Sequence, residues 1–161
     1  MELIEPGKFY GEGPEKAARE KEIDEQRAKY GIAKADIICL HDYLGVVIAN
    51  GLRMLAEYEH GWPGTEEFPT PEDWEESLIN VAEKLEQAST RDEQIAKMHD
   101  EIDWEEGELD IPEDFNEWLN GPKTPAWEEY SRRSDEIETT AEKNAKEALE
   151  WLSKYWFALW D

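Results

Sequence analysis

The stretch ADIICLHDYLGVVIANGLRMLAEYEHG, residues 35–61, decides the fold class. Its apolar residues do not alternate, as a half-buried strand would require; they recur every three or four positions, the period of an α-helix. Ile37, Leu40, Leu44, Val47, Gly51, Met54, Leu55 and Tyr58 fall on one helical face, and Gly61 supplies the stop. This segment is expected to be the central helix. The opposite face carries Asp42, Asn50, Arg53, Glu57 and His60, with Arg53 and Glu57 spaced for an ion pair along the helix.

Helix signals continue on both sides. Thr70-Pro71 and Thr124-Pro125 each read as an N-cap followed by proline at the first helical position, with acids after it that suit the helix dipole. From Pro71, Trp74, Leu78, Val81, Ala82, Leu85 and Ala88 form a stripe that either runs on through Ser89-Thr90 toward Ile95 and Met98 or breaks there. Upstream, residues 15–30 favour an exposed helix that Gly31 ends. Residues 1–14 hold Pro6, Gly7, Gly11, Gly13 and Pro14 and read as irregular. Residues 103–124 read as a loop with one short helix around Glu113 to Leu119. No segment keeps a period of two. The expectation is an all-α bundle of about four main helices over residues 35–161, preceded by an arm and exposed helix over 1–34.

The last helix, from Pro125, closes on EALEWLSKYWFALWD, residues 147–161. On a helical projection Ala145, Ala148, Leu149, Trp151, Leu152, Tyr155, Trp156, Leu159 and Trp160 cover about half the circumference, wider than the stripe of an ordinary surface helix. Phe157 lies at the border of that arc. Five aromatic rings here have roughly 1,000 Å² to bury. Trp151, Leu152, Tyr155, Trp156, Leu159 and Trp160 are therefore expected to dock as core.

Charge is the unusual property. The 161 residues carry 41 acids and 17 bases, a net charge of −24. Residues 35–161 hold 33 of the acids and ten of the bases, so they supply −23 of it. Segments 54–83 and 98–122 contain no Lys or Arg at all. Such a surface repels nucleic acid and anionic membrane and attracts cations or a basic protein. No apolar run approaches a membrane span, and Glu2, Glu5 and Glu12 stand where a signal peptide would be basic or apolar. The single cysteine, Cys39, excludes an intrachain disulfide, fits a reducing compartment and is expected to be a small buried residue.

Few constellations invite chemistry. Glu57 and His60 form Glu-x-x-His, half of a di-iron motif, but neither His41 nor His99 has a Glu three residues before it. His41-Asp42 resembles the central pair of an HD phosphohydrolase, and three histidines cannot complete that site. All-α nucleoside triphosphate pyrophosphohydrolases pair Glu-x-x-Glu with Glu-x-x-Asp. Glu22/Glu25, Glu72/Glu75 and Glu83/Glu86 fit the first half, and no Glu here has an Asp three residues later. In DEIDWEEGELD, residues 100–110, Gly107 is the eighth residue, whereas a calcium loop needs glycine at the sixth. No catalytic or metal residue and no cofactor is assigned. Segment 98–122 has two readings: a loop that pins its aromatics into the bundle and leaves its carboxylates in water, or a ligand for a basic protein surface. In the second, the candidate partner-binding residues are Asp100, Glu101, Asp103, Trp104, Glu105, Glu106, Glu108 and Asp110, with the aromatic ring as anchor and the acids as steering charge.

DYLGVVIANGLRMLAEYEHGWPG at 42–64 and LSKYWFALWD at 152–161, with the Trp74 helix between them, resemble a group of small proteins encoded by tailed bacteriophages, many of which close on Leu-Trp-Asp. The resemblance covers about half the chain and brings no activity or residue roles. It implies a setting, a phage gene product in the host bacterial cytoplasm. The resulting expectation is a non-enzymatic accessory protein, monomer or homodimer, that contacts a basic host, phage or defence protein and binds neither nucleic acid nor membrane directly. Its sharper form is an inhibitor whose acids imitate nucleic-acid phosphates. The alternatives are a Mg²⁺-dependent nucleotide pyrophosphohydrolase and a small virion or assembly component.

Overall fold

The computed structural model describes residues 16–58, 61–104 and 123–159. Among these residues five α-helices form an all-α bundle: α1, Lys16–Tyr30; α2, Leu40–Tyr58; α3, Pro71–Ser89; α4, Arg91–Glu101; and α5, Pro125–Tyr155. Short 3-10 helices occupy Lys34–Ile37 and Trp156–Ala158, and there is no strand among the described residues. The expected short helix around 113–119 lies outside them.

The helix boundaries follow the capping chemistry. At α3, the Asp73 N–H donates to Thr70 Oγ1 (3.2 Å) while the Thr70 N–H donates to Asp73 Oδ2 (3.1 Å), a reciprocal capping box that satisfies two orphan donors. At α5, Thr124 Oγ1 accepts from the Trp127 N–H (3.3 Å). Gly31 ends α1 at φ +73°, with its N–H on the Arg27 carbonyl (2.8 Å). The break after Ser89 is real: Thr90 turns both its N–H and its hydroxyl onto the Glu86 carbonyl, each at 2.9 Å, and α4 begins as a separate helix.

The centre of the bundle is α3, not α2. It packs against α2 on one side and α5 on the other, while α4 runs along α5 and α2 does not meet α5 among the described residues. The α3 stripe is buried as expected, with Trp74 and Leu78 the largest fully enclosed side chains. An aromatic box closes one end of the core. Phe68, from the Trp62–Pro71 connection, meets Trp74 and Tyr155 edge-on at 5.0 Å, and Trp74 stacks on Trp151 at 5.2 Å. Lys84 bonds Glu147 (2.7 Å) and Asn144 bonds Gln87 (2.8 Å), fixing the α3–α5 register.

Helix α2 is buried on a different face from the one its large residues mark. Gly45, Val46, Ala49, Leu52, Arg53 and Ala56 are enclosed. Ile37, Leu40, Leu44, Val47, Met54 and Tyr58 are exposed, so the apolar stripe points outward. The physical reason is proximity. A Cβ at Gly45 would stand 1.9 Å from Ser89 Oγ, so small residues are what α3 admits at this contact. Arg53 likewise turns inward and bonds Glu86 on α3 rather than Glu57 on its own helix.

The aromatic tail is core only in part. Leu152 and Tyr155 are buried, and Trp151, Ala158 and Leu159 pack against the core, but Leu149, Trp156 and Phe157 are 59%, 56% and 84% exposed. Leu149, inside the regular helix, and Trp156, seven residues on along the same face, are both exposed, so the buried arc is narrower than the projection; beyond Tyr155 the chain continues as a 3-10 turn. Trp160 lies outside the described residues. Cys39 is exposed rather than buried, in the turn between the first 3-10 helix and α2.

Helix α1 is largely exposed, with only Ile23 buried. It is nonetheless fastened across the expected boundary at residue 34. Arg27 clamps Asp36 with two hydrogen bonds, Nη2 to Oδ1 at 2.6 Å and Nε to Oδ2 at 3.0 Å, while the Ala33 N–H donates to Oδ2 (2.8 Å). The Tyr43 hydroxyl donates to the Gly31 carbonyl from the start of α2.

Candidate functional site

The sequence-predicted acidic site begins at the C-terminus of α4. Met98 and Ile102 turn into the bundle, and Asp100, Glu101 and Asp103 turn out. Trp104 is committed to an aromatic cluster: its Nε1 donates to the His99 carbonyl (3.0 Å), and its ring lies 5.0 Å from His99 and 5.1 Å from Trp127. The indole is half-buried there. Glu101 bonds Arg133 on α5 at 2.6 Å, while the Asp100 side chain is 87% exposed. Glu105, Glu106, Glu108 and Asp110 lie outside the described residues. The structure therefore brings Asp100, Glu101 and Asp103 to one solvent-facing corner, over an apolar and aromatic floor.

Among the described residues there is no group of three or more His, Cys, Asp or Glu side chains placed to hold a metal ion. His41 Nε2 lies 3.1 Å from Asp42, and His99 Nδ1 lies 3.6 Å from Asp100. Of the Glu-x-x-Glu pairs, Glu72, Glu75 and Glu83 face solvent and Glu86 is engaged by Arg53. Glu57 is exposed, and His60 is outside the described residues. Between α3 and α5 lies a cleft of about 320 Å³ whose acids, Glu67, Asp73, Glu76 and Glu147, are interleaved with Lys84. Lys154 and the Tyr155 hydroxyl both bond Glu67, and those donors hold its carboxyl below the usual range.

Two carboxylates near the start of α2 are perturbed in opposite directions. Burial pushes Asp42 up, reinforced by Asp92 and offset by His41 and Arg91. Burial acts the same way on Asp36, but the hydrogen bonds from Arg27 and the Ala33 N–H outweigh it and hold that carboxyl below its ordinary value. Asp36 thus ties α1 to the segment before α2, while Asp42 faces the start of α4.

The surface that sequence reasoning missed is the outer face of α2. Ile37, Leu44, Met54 and Tyr58 are 62%, 43%, 47% and 65% exposed, and Ile38 and Trp62 are exposed as well. A signal for it was present in the inner residues: Gly45, Ala49, Leu52 and Ala56 have helical spacing of their own, and three of the four are small enough for close packing. Among the described residues, no helix is long and apolar enough to cross a membrane.

No protein-family model, no curated protein and no solved structure matches this chain.

Proposed function

We propose that this chain is a non-enzymatic protein that works by contact with a basic protein, within the phage setting that the sequence resemblance implies. Its acids act as the recognition charge, imitating nucleic-acid phosphates on a host or defence protein. The observation that carries this reading is the corner at the end of α4. Asp100, Glu101 and Asp103 face solvent while Met98, Ile102 and Trp104 are held beneath them, so the carboxylates stand on a packed base. Fixed charges are steered and oriented as a unit, which speeds association and selects partners.

The test is affinity purification from infected cells, followed by binding of the captured protein in increasing salt. Affinity should fall as salt rises, because exposed charges are screened over about 8–10 Å near physiological ionic strength. Changing Asp100, Asp103, Glu105, Glu106 and Glu108 to their amides should abolish binding and leave the melt intact. Equal binding by the five-amide variant, or simultaneous binding of the partner's nucleic acid, would defeat the proposal. Turnover of a nucleoside triphosphate with Mg²⁺ that is lost in Glu72→Gln or Glu75→Gln would replace it with a hydrolase.

A further inference from the structure

The outer face of α2 has a stricter pattern than exposure alone requires. Residues 40, 44, 47, 51, 54 and 58 are spaced four, three, four, three and four apart, the a/d repeat of a coiled-coil seam. Five of the six are Leu, Leu, Val, Met and Tyr, each at least 39% exposed. The sixth is Gly51, where an added Cβ would meet nothing within 4 Å. A seam of this kind is narrower than the stripe of a helix that packs into a globular core, and here the core side of the helix is already taken by α3.

We infer that this face pairs with the same face of a second copy of the chain, in an antiparallel two-fold contact. Three observations select that occupant. First, the spacing reads the same in reverse, so two copies of α2 running in opposite directions place Leu40 opposite Tyr58, Leu44 opposite Met54, and Val47 opposite the gap at Gly51. Each pair sets an a position against a d position, and the one glycine receives a β-branched side chain. Second, the charge permits it. In a chain of net charge −24, the exposed part of the seam and its flanks carries, among the described residues, one carboxylate, Glu57, which this register places beside Tyr43 of the other copy rather than beside its own equivalent. The carboxylate-bearing faces of α3 and α5 would repel a second copy. Third, the area is of the right order. Leu40, Leu44, Val47, Met54 and Tyr58 expose on the order of 450 Å² per copy, and Ile37 and Ile38 ahead of the helix bring the exposed apolar surface to about 700 Å², against the roughly 800 Å² per partner of a standard interface.

This inference does not depend on the acidic corner, and salt separates the two. Contact with a basic protein weakens as salt rises. Self-association of two acidic chains through an apolar seam should strengthen several-fold as their mutual repulsion is screened.

The experiment is sedimentation equilibrium of the full chain from about 1 to 100 µM, a range that resolves micromolar dissociation constants. Wild type should be a dimer, and Val47→Glu should raise the dissociation constant at least about 100-fold, because it buries two unpaired carboxylates in the contact. Position 47 is exposed in the monomer, so the variant should keep its helical circular dichroism. A second measurement fixes the register. On a Cys39→Ser background, mixed Val47→Cys and Gly51→Cys chains should form disulfide dimers several-fold faster than either alone. A wild-type monomer throughout the range, a dimer indifferent to Val47→Glu, or equal crosslinking of mixed and unmixed chains would overturn the inference. So would a different protein captured on this face by a chain that stays monomeric.

Discussion

The two faces of α2 are both apolar and have opposite fates. The inner one, Gly45, Val46, Ala49, Leu52 and Ala56, is enclosed against α3; the outer one, Leu40, Leu44, Val47, Met54 and Tyr58, is exposed. Side-chain bulk therefore fails as a guide to burial here, because α3 supplies most of the volume of the core it shares with α2 and α5. Trp74, against Trp151 and Tyr155 of α5, fills that core with Leu78, Val81 and Leu85, while Gly45, Ala49 and Ala56 of α2 are small where α2 meets α3. Close packing is a property of the pair, and a helix read alone cannot show which partner supplies the volume.

Removing volume from the α3 side should break the inner contact most severely. Trp74→Ala should cost about 3–5 kcal/mol, because the indole stacks on Trp151 and closes the aromatic box, and the cavity it leaves cannot fully collapse. Chemical denaturation would read this directly. A loss below about 1 kcal/mol would mean the box is not the centre of the core. Adding volume on the α2 side comes next. Gly45→Leu should cost about 3 kcal/mol by overpacking against Ser89 and the Leu85 carbonyl, and an unchanged melt would show that the helices can separate at that point.

These cases show what was legible in the sequence and what was not. Chain-local signals were: the Thr-Pro starts of α3 and α5, the Gly31 stop, and the α3 stripe all stand as read, since each is decided within a few residues of itself. The orientation of α2 was not, and neither was Arg53, whose partner Glu86 lies on another helix. The tail was read as core over half the helix circumference. The buried arc is narrower: Leu149, within the helix, and Trp156 on the same face are exposed, and Phe157 lies outside as well. For the candidate site, the exposure of Asp100, Glu101 and Asp103 follows from charge. The inward commitment of Trp104 depends on Trp127, a residue distant in sequence.

A third prediction tests how the start of α2 is fixed. Asp36→Asn should cost about 2 kcal/mol at neutral pH, because it removes a charge-assisted pair with Arg27 from a buried position. The sign with pH follows from the lowered carboxyl. Its contribution is complete above the unfolded value, about 4, and is lost as pH falls through the lower folded value. The gap between wild type and Asp36→Asn should therefore narrow on acidification below about pH 4. Asp42, raised by burial, behaves oppositely: its ionisation costs stability, and that cost is relieved as the pH falls. A gap between wild type and Asp36→Asn that widened in acid would show that the Arg27 clamp does not hold the carboxylate in its charged form.

The smallest effect should be the most discriminating, because it has two readouts of opposite sign. Gly51 sits mid-helix on the outer face, with nothing near its missing Cβ, and its φ is not in the positive region that only glycine tolerates. Gly51→Ala should therefore stabilise the folded chain by about 0.5–1 kcal/mol, through the reduced freedom of the unfolded chain and better helix propensity. The same methyl group occupies the gap that receives Val47 of a second copy, so self-association should weaken while the melt of the dilute chain rises. On the inner face the corresponding change, Gly45→Ala, meets Ser89 and should lower the melt. Two glycines on one helix, six residues apart, thus predict opposite stability changes on substitution. A Gly51→Ala chain that gained stability and also dimerised more tightly would mean that the two copies do not approach at residue 51.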